Sequence, residues 1–237
     1  MQNFNYFYII CGESGTGKST IVKELTKRLG MKEVKSYTTR PKRYETEDTH
    51  TFITGTPDEI DEKAAEIAIK EVSVSESILD DNYYFTTLEQ IKNNNIVIWN
   101  KEGVMLFKDF CDFSCYQELP FYRELPFYRI IYIKANKFVR IKRLIQKNGF
   151  IKGCKQYRYD KIFDKIFGET SLPLFRPFID FIVYNNDTPK DCVDKIINFI
   201  EETEKRRISC DKKETDLKCL SCMFGYDDDG GVYCKFH

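Results

Sequence analysis

The chain has 237 residues, of which 42% are hydrophobic and 15% aromatic, so it can bury a substantial core and is not a disordered chain. Basic and acidic residues number 37 each, which excludes a global electrostatic attraction to nucleic acid or to an anionic membrane. No apolar run approaches the roughly 18 residues of a membrane span, and the N-terminus lacks signal-peptide features. We therefore expect a cytoplasmic protein with no membrane partner and no nucleic-acid partner.

Strand-like and helix-like segments alternate along the chain. Aromatic and β-branched runs predict strands at residues 6–11, 33–37 (weakly), 96–100, 129–134 and 179–184. Helical spacing of apolar residues predicts helices at 19–29, 57–70, 136–147, 157–167 and 189–203, the first of them capped by Gly30. This alternation predicts an α/β fold in which helices cover both faces of a parallel sheet.

One segment interrupts the alternation. Residues 118–129 consist of ELPFYR twice in direct succession. Two copies of six residues are too few and too short for a repeat architecture, and two prolines disfavour a helix. We predict a loop expansion before the strand at 129–134.

A glycine-rich stretch follows the first predicted strand. Residues 12–19, GESGTGKS, match G-x-x-x-x-G-K-[ST] between a predicted strand and a predicted helix. Glycines let backbone N–H groups approach phosphate oxygens, Lys18 can reach the outer phosphates, and the Ser19 hydroxyl can ligate Mg²⁺. We therefore predict an ATP–Mg²⁺ site in preference to a chance glycine-rich turn. Its residues are Gly12, Ser14, Gly15, Thr16, Gly17, Lys18, Ser19 and Thr20.

A basic stretch, SYTTRPKR at residues 36–43, follows about twenty residues after that loop and contains Arg40 and Arg43. Planar guanidinium groups match phosphate oxygens in pairs, and an acceptor that is itself a monophosphate needs them because it repels the triphosphate. The stretch resembles the acceptor loop of the guanylate kinase family, S-x-T-T-R-x-x-R. The resemblance implies that Arg40 and Arg43 hold the acceptor phosphate and that Ser36 lies nearer the base.

Further motifs are similar to that family between about residues 6 and 204. NYYFT at residues 82–86 resembles its N-Y-Y-G-[ST], which implies that Tyr84 contacts the acceptor phosphate and Thr86 the base. His50 stands where the family usually has a tyrosine; it can donate to phosphate, or it is an ordinary residue at a strand end. IDFIVYNND at residues 179–187 resembles a strand end that passes the donor base, which would place Asn185 there.

The basic segment after residue 136 resembles the family's phosphate-closing helix and lid. The resemblance implies that Arg143, with Lys147, and Arg158 neutralise the phosphates, although a solvated basic helix face is the alternative. It gives catalytic roles to Lys18, Arg40, Arg143 and Arg158. It also implies a three-layer α/β/α P-loop fold over residues 1–204, with an acceptor-binding subdomain at about 36–88 and a lid at about 147–158.

The residues that read guanine in this family are altered. A family glutamate is replaced by Ser75, with Glu76 beside it, and two family aspartates are replaced by Ile98 and Asn100. Carboxylates pair with the N1–H and N2–H groups of guanine, so their loss should weaken guanine selection. Asn100 remains a predicted substrate-binding residue.

Three functions fit these residues. The first is a nucleoside monophosphate kinase that transfers the γ-phosphate of ATP to GMP, dGMP or a related nucleotide, as a monomer or a homodimer. The second is a catalytically weakened binding or regulatory module, favoured by Ser75, Ile98 and Asn100 but not by the complete loop at Lys18 and Ser19. The third is a P-loop kinase for another phosphorylated small molecule.

Cysteines are concentrated in a C-terminal tail, residues 205–237. Cys219-x-x-Cys222 and Cys234-x-x-His237 are spaced like the ligands of a zinc knuckle, and Cys210 is an alternative fourth ligand. The tail therefore predicts a small structural Zn²⁺ site, or else free thiols in a frayed terminus. We expect the remaining cysteines to be reduced and mostly buried: Cys11, Cys111, Cys115, Cys154 and Cys192.

Overall fold

The structure is a computed structural model that describes residues 4–79, 81–116, 125–150 and 176–210. Contacts between Cα atoms divide the chain into two units, Met1–Ile197 and Asn198–His237. In the second unit the described residues continue the last helix as far as Cys210. The predicted helix at 157–167, most of the predicted lid with Arg158, and the tail beyond Cys210 lie outside the described residues.

The first unit contains eight strands and five complete helices within its described part. The strands are β1 (Tyr6–Gly12), β2 (Tyr37–Thr38), β3 (Thr51–Phe52), β4 (Ser73–Leu79), β5 (Asn82–Thr87), β6 (Ile96–Ile98), β7 (Phe127–Lys134) and β8 (Phe181–Tyr184). The helices are α1 (Lys18–Leu29), α2 (Pro57–Lys70), α3 (Leu88–Lys92), α4 (Lys101–Tyr116) and α5 (Lys137–Asn148). A further helix, α6 (Pro189–Cys210), runs from the first unit into the second.

The larger sheet is parallel and has the strand order β6-β1-β7-β8. Its central strands are rich in apolar residues, YFYIICG in β1 and FYRIIYIK in β7, and the buried stretch of β7, residues 130–133, is apolar as expected for a strand buried on both faces. Ile9, Ile10 and Ile131 are fully buried. The α/β fold with a parallel sheet is confirmed, and the carboxyl ends of its strands meet at one edge, where the glycine-rich loop follows β1.

A smaller sheet, ordered β3-β2-β5-β4, lies within residues 37–87. Antiparallel pairs join β2 to β5 and β4 to β5, whereas β2 and β3 are parallel. Helix α2 packs on it through Ala64, against Ile53 and Phe85. This sheet occupies the segment for which the family resemblance implies an acceptor-binding subdomain, and the strand pattern of the sequence did not reveal it.

Helix ends follow their local chemistry. Gly30 adopts a left-handed conformation (φ +69°) and its N–H donates to the Thr26 carbonyl, which ends α1 as predicted. The Asn136 side chain accepts a hydrogen bond from the Phe138 N–H and starts α5. None of the described helices is long and apolar enough to cross a membrane.

Four sequence predictions need correction. The strand predicted at 33–37 is absent: Glu33 forms only an isolated bridge with Ile96, and Tyr37 belongs to β2 of the smaller sheet, since charged residues at 33 and 35 do not suit a strand covered on both faces. The loop predicted at 118–129 ends earlier, because Phe127 already pairs with Tyr6 of β1. Helix α6 continues beyond the predicted end at residue 203.

The fourth correction concerns α4, which the sequence analysis missed. Its buried face consists of Val104, Phe107 and Cys111, at the i, i+3, i+7 spacing of an amphipathic helix. Gly103 and the exposed Leu106 and Phe113 obscured that pattern. Of the scattered cysteines, Cys11, Cys111 and Cys192 are buried as predicted, and burial raises the pKa of Cys11 and Cys111 to about 12.

Candidate active site

The loop at residues 12–17 adopts a conformation that requires glycine. Gly12 has φ +143°, and a Cβ at this position would overlap the carbonyl oxygen of Ile133 in the neighbouring strand β7. Gly15 (φ +80°) and Gly17 (φ +93°) also lie in the left-handed region, where a Cβ is strained. The three glycines therefore form a close-packed backbone turn between β1 and α1.

The N-terminus of α1 is open to a ligand. Gly17 is its N-cap and supplies no side chain to the first backbone N–H groups, and the Ser19 and Thr20 side chains are exposed. Lys18 Nζ donates to the Gly12 and Glu13 carbonyls at 2.7 and 3.0 Å, so the lysine folds back over the loop. An open helix N-terminus, glycine backbone, a lysine and exposed hydroxyls fit a nucleotide phosphate with its Mg²⁺.

Helix α5 contacts this loop through Arg140. Arg140 forms an ion pair with Glu13 (2.6 Å), and its Nε donates to the Ser14 carbonyl at 2.9 Å. The Arg140 side chain is only 6% exposed. Arg140 was not predicted, although its position three residues before Arg143 on a predicted helix was a usable signal. Arg140 is best described as a residue that positions the loop.

Arg143 and Asn185 hold the same loop where it joins α1. Arg143 Nη1 donates to the Asn185 carbonyl at 2.9 Å and to the Thr16 carbonyl at 3.4 Å. Asn185 is 1% exposed, and its Nδ2 donates to the Thr16 carbonyl at 2.8 Å. The structure thus brings both predicted residues to the donor loop. It gives Asn185 a contact that supports the loop, and its contact with the donor base stays a prediction.

The loop that carries Arg40 and Arg43 is organised by Glu47. Arg40 Nη2 and Nη1 donate to the two carboxylate oxygens of Glu47 at 2.9 and 3.2 Å. The Arg43 backbone N–H and the Thr49 hydroxyl also donate to it, at 2.7 and 3.1 Å. Glu47 is only 3% exposed. The hydrogen bonds from Arg40 are the main reason that the pKa of Glu47 falls to about 2.

These contacts fix the side chain of Arg40 but not that of Arg43. The Arg40 guanidinium is fixed, lies 5.1 Å from the ring centroid of Phe52, and has a raised pKa because of its hydrogen bonds with Glu47 and, secondarily, with Tyr84. The Arg43 side chain is exposed, and only its backbone is tied to Glu47. Glu47 was not predicted, because it is one of three acidic residues in the segment YETED and nothing in the sequence distinguishes it from the other two.

His50 stands next to Tyr84 near Arg40. The two rings meet edge to face with their centroids 5.4 Å apart. Burial and the charge of Arg40 lower the pKa of His50, so the imidazole is neutral at neutral pH. Its Nδ1 is buried and has no hydrogen-bond partner among the described residues. A neutral, half-buried imidazole can form a hydrogen bond with a substrate that enters this region.

A cavity of about 140 Å³ lies between the smaller sheet and the end of β6. Five residues predicted to bind substrate line it together, and the remaining lining residues include Trp99, which the sequence analysis did not single out. The predicted lining residues are Ser36, His50, Tyr84, Thr86 and Asn100. The others are Ser75, Ser77, Phe85, Ile98, Trp99 and Gly103.

The cavity wall is hydrogen-bonded and uncharged. Ser36 Oγ and Thr86 Oγ1 share a hydrogen bond of 2.7 Å, and Trp99 Nε1 donates to Thr86 Oγ1 at 3.1 Å. Ser75 is buried, whereas Glu76 is exposed on the opposite face of β4 and is not among the lining residues. Among the described residues, no carboxylate replaces the acids that the family uses to read guanine.

The remaining predicted residues are not described. Arg158 lies outside the described residues, as do Cys219, Cys222, Cys234 and His237, while Cys210 is the last residue of α6. Within the described ranges, no group of three or more His, Cys, Asp or Glu side chains is arranged to hold a metal ion. The zinc site therefore stays a prediction about the tail.

No protein-family model matches the chain, and no curated protein matches it. Among solved structures, the guanylate kinase from Anaplasma phagocytophilum is similar over 86% of this chain and 88% of its own, with a TM-score of 0.50 and 13% identity. A gluconokinase from Sinorhizobium meliloti 1021 has a TM-score of 0.45 at 12% identity, covering 89% of this chain and 99% of its own. A shikimate kinase from Bacteroides thetaiotaomicron has a TM-score of 0.40 at 13% identity, with coverages of 83% and 98%.

At 13% identity, the likeness to the guanylate kinase defines the fold alone. The chain shares the α/β fold of that guanylate kinase, with a four-stranded parallel sheet and a glycine-rich loop after strand β1.

Proposed function

We propose that the chain is an ATP-dependent phosphotransferase that acts on GMP, dGMP or a related (deoxy)nucleoside monophosphate. The observation that carries the proposal is the uncharged cavity lined by Ser36, Tyr84, Thr86 and Asn100, with the fixed guanidinium of Arg40 close to Tyr84. An aromatic and hydroxyl-lined cavity suits a base, and a guanidinium suits a phosphate.

The loop between β1 and α1 supports the donor half of the proposal. Gly12, Gly15 and Gly17 would let backbone N–H groups approach the phosphates, and Lys18 would exchange its two carbonyl partners for phosphate oxygens. The exposed Ser19 hydroxyl would ligate Mg²⁺, and bound Mg²⁺ neutralises charge on the phosphates. Arg140 and Asn185 stabilise the loop conformation by donating hydrogen bonds to its backbone carbonyls.

Phosphoryl transfer requires the side chains mainly to position the two nucleotides and to neutralise their charges. An oxygen of the acceptor phosphate is already an adequate nucleophile for the γ-phosphorus, and ADP leaves as the bond from that phosphorus to the bridging oxygen breaks. Lys18 and Arg40 would neutralise the charges that otherwise keep donor and acceptor apart, with Arg143 and Arg158 as further candidates. No general base is needed, so the absence of an assigned base is no obstacle.

A binding or regulatory module with weakened catalysis is the second candidate. Ile98 and Asn100 line the cavity where the family resemblance implies aspartates, and Arg40 is already paired with Glu47. Such a protein would bind both nucleotides without transferring phosphate. A kinase for another phosphorylated small molecule would instead turn over a non-nucleotide acceptor.

A coupled assay of ADP release, run across all nucleoside monophosphates and several sugar phosphates, tests the proposal. We expect turnover with at least one nucleoside monophosphate, and an acceptor KM raised about tenfold or more in Arg40→Lys, which keeps the charge but loses the planar fork. Arg28→Lys is the matched control, because Arg28 pairs with Asp194 at the surface (2.6 Å) away from the cavity. ATP binding without turnover on any acceptor would contradict the proposal.

A further inference from the structure

Asn100 lines the acceptor cavity, and the end of helix α4 fixes the orientation of its side-chain amide. Its side-chain Oδ1 accepts the Gly103 N–H at 2.8 Å, and its main-chain carbonyl accepts the Val104 N–H at 3.2 Å, so it is the N-cap of α4. A backbone N–H can only donate, which fixes the oxygen of the amide at the helix end. The other end of the amide is therefore Nδ2, and no described residue accepts a hydrogen bond from it.

The hydroxyl groups of the cavity add one further donor. Ser36 and Thr86 share one hydrogen bond, which uses one of their two hydroxyl hydrogens, whichever residue donates. Thr86 Oγ1 also accepts from Trp99 Nε1, a group that can only donate. The pair therefore keeps one O–H that is free to donate. Ser75, by contrast, uses its hydrogen on the Gly103 carbonyl at 2.9 Å.

No anionic acceptor balances these donors. The cavity lining contains no Asp or Glu within the described part of the chain, and Ile98 contributes only an apolar side chain. A base that brings N–H groups to this wall would meet the Asn100 amide hydrogens and would lose hydrogen bonds that it makes in water. A base that brings carbonyl oxygens would satisfy them.

We propose that the acceptor is a (deoxy)nucleoside monophosphate whose base turns a carbonyl oxygen, and no amino group, toward Asn100. Hypoxanthine, uracil and thymine carry carbonyl oxygens and no exocyclic amino group, whereas guanine carries an amino group at C2 beside its carbonyl. This inference rests on the proposed function for the presence of a monophosphate in the cavity. Asn100 is then the residue that determines base specificity.

Inosine and guanosine 5′-monophosphates (IMP and GMP) differ only by the 2-amino group, so their affinities test the inference directly. By isothermal calorimetry without ATP, we expect the wild-type protein to bind IMP about tenfold more tightly than GMP. Asn100→Asp replaces the donors with an acceptor and still caps α4, since aspartate is an equally good N-cap. In this variant we expect GMP to bind about tenfold more tightly than IMP, a shift of about a hundredfold in the ratio.

Asn95→Asp is the matched control. Asn95 Oδ1 also accepts a backbone N–H, that of Lys32 at 3.1 Å, but Asn95 does not line the cavity. Its IMP-to-GMP affinity ratio should equal that of the wild type. Ile98→Asp adds a carboxylate to the cavity from β6 and should also shift the ratio toward GMP. It is a second, independent test that does not require the Asn100→Asp variant to fold.

The inference is overturned by wild-type affinity for GMP equal to or above that for IMP. A ratio that neither carboxylate variant changes, or the absence of binding of IMP and of the uridine and thymidine 5′-monophosphates alike, would overturn it equally. Phosphate transfer is measured separately on the same proteins. A preference for IMP without turnover of any monophosphate would support the assignment of Asn100 and refute the proposed kinase activity, so the two failures are distinguishable.

Discussion

Glu47→Gln removes the carboxylate that organises the acceptor loop and changes the side-chain shape very little. Four donors converge on Glu47: two from Arg40, one from the Arg43 backbone and one from Thr49. A glutamine offers one oxygen and one N–H₂ group, so two of these bonds are lost. At about 1.5 kcal/mol for each hydrogen bond that involves a charged group, the free energy of unfolding should fall by about 3 kcal/mol. The acceptor KM should rise because Arg40 is no longer fixed.

Urea denaturation at a series of pH values checks both the size and the cause of this effect. A folded-state pKa of about 2 lies below the ordinary glutamate value of 4.5, so the carboxylate stabilises the fold above pH 4.5. That stabilisation is lost as the pH falls from 4.5 toward 2. The difference in unfolding free energy between wild type and Glu47→Gln should therefore be constant from pH 7 to 5 and shrink below pH 4.5.

Asp48→Asn is the control for that experiment. Asp48 is the next residue and pairs with Lys35 at 2.9 Å, but its side chain is 84% exposed, and solvent-exposed pairs contribute little. We expect no measurable change in stability at pH 7. A Glu47→Gln protein as stable as the wild type, or a stability difference that does not change between pH 5 and pH 3, would refute the reasoning.

Three further predictions concern the donor loop and the tail. Gly12→Ala forces a Cβ onto the Ile133 carbonyl at φ +143° and should lower the unfolding free energy by about 2 kcal/mol or more in urea denaturation; unchanged stability contradicts it. Arg140→Met removes the ion pair with Glu13 and the hydrogen bond to the Ser14 carbonyl, and it should raise the KM for ATP but not for the acceptor in steady-state kinetics; an equal rise in both would argue against a loop-positioning role. Reduced, chelator-free protein should contain about one zinc per chain by metal analysis, lost in Cys219→Ser, and finding none removes the zinc prediction.

Local patterns in the sequence were sufficient for the larger sheet and the donor loop. The buried stretches of β1 and β7 are apolar because both faces are covered, and the loop motif is contiguous. The spacing of Ile21, Val22 and Leu25 marks the buried face of α1 in the same way. These contiguous patterns predicted β1, β7 and α1, while the nucleotide at the loop stays a prediction.

Features that depend on distant pairing could not be predicted from the sequence. Strands β2 and β3 have only two residues each and exist because β2 pairs with β5, almost fifty residues later. The role of Arg140 likewise depends on distant pairing, since its ion pair with Glu13 joins α5 to the donor loop. Glu47 and Arg40 belong to one loop, but its irregular backbone follows no periodic pattern from which their pairing could be predicted. The donor character of Asn100 follows from the N-cap of α4, a helix that the sequence analysis did not identify.

Transfer of labelled phosphate is the most direct measurement of the central claim. The wild-type protein would be incubated with γ-³²P-labelled ATP and each nucleoside monophosphate, and the products separated by thin-layer chromatography. The account predicts label in a nucleoside diphosphate for at least one acceptor, and none with Lys18→Met, which lacks the ammonium that would reach the phosphates. Label that remains in ATP or appears only as inorganic phosphate, with every monophosphate, would contradict it.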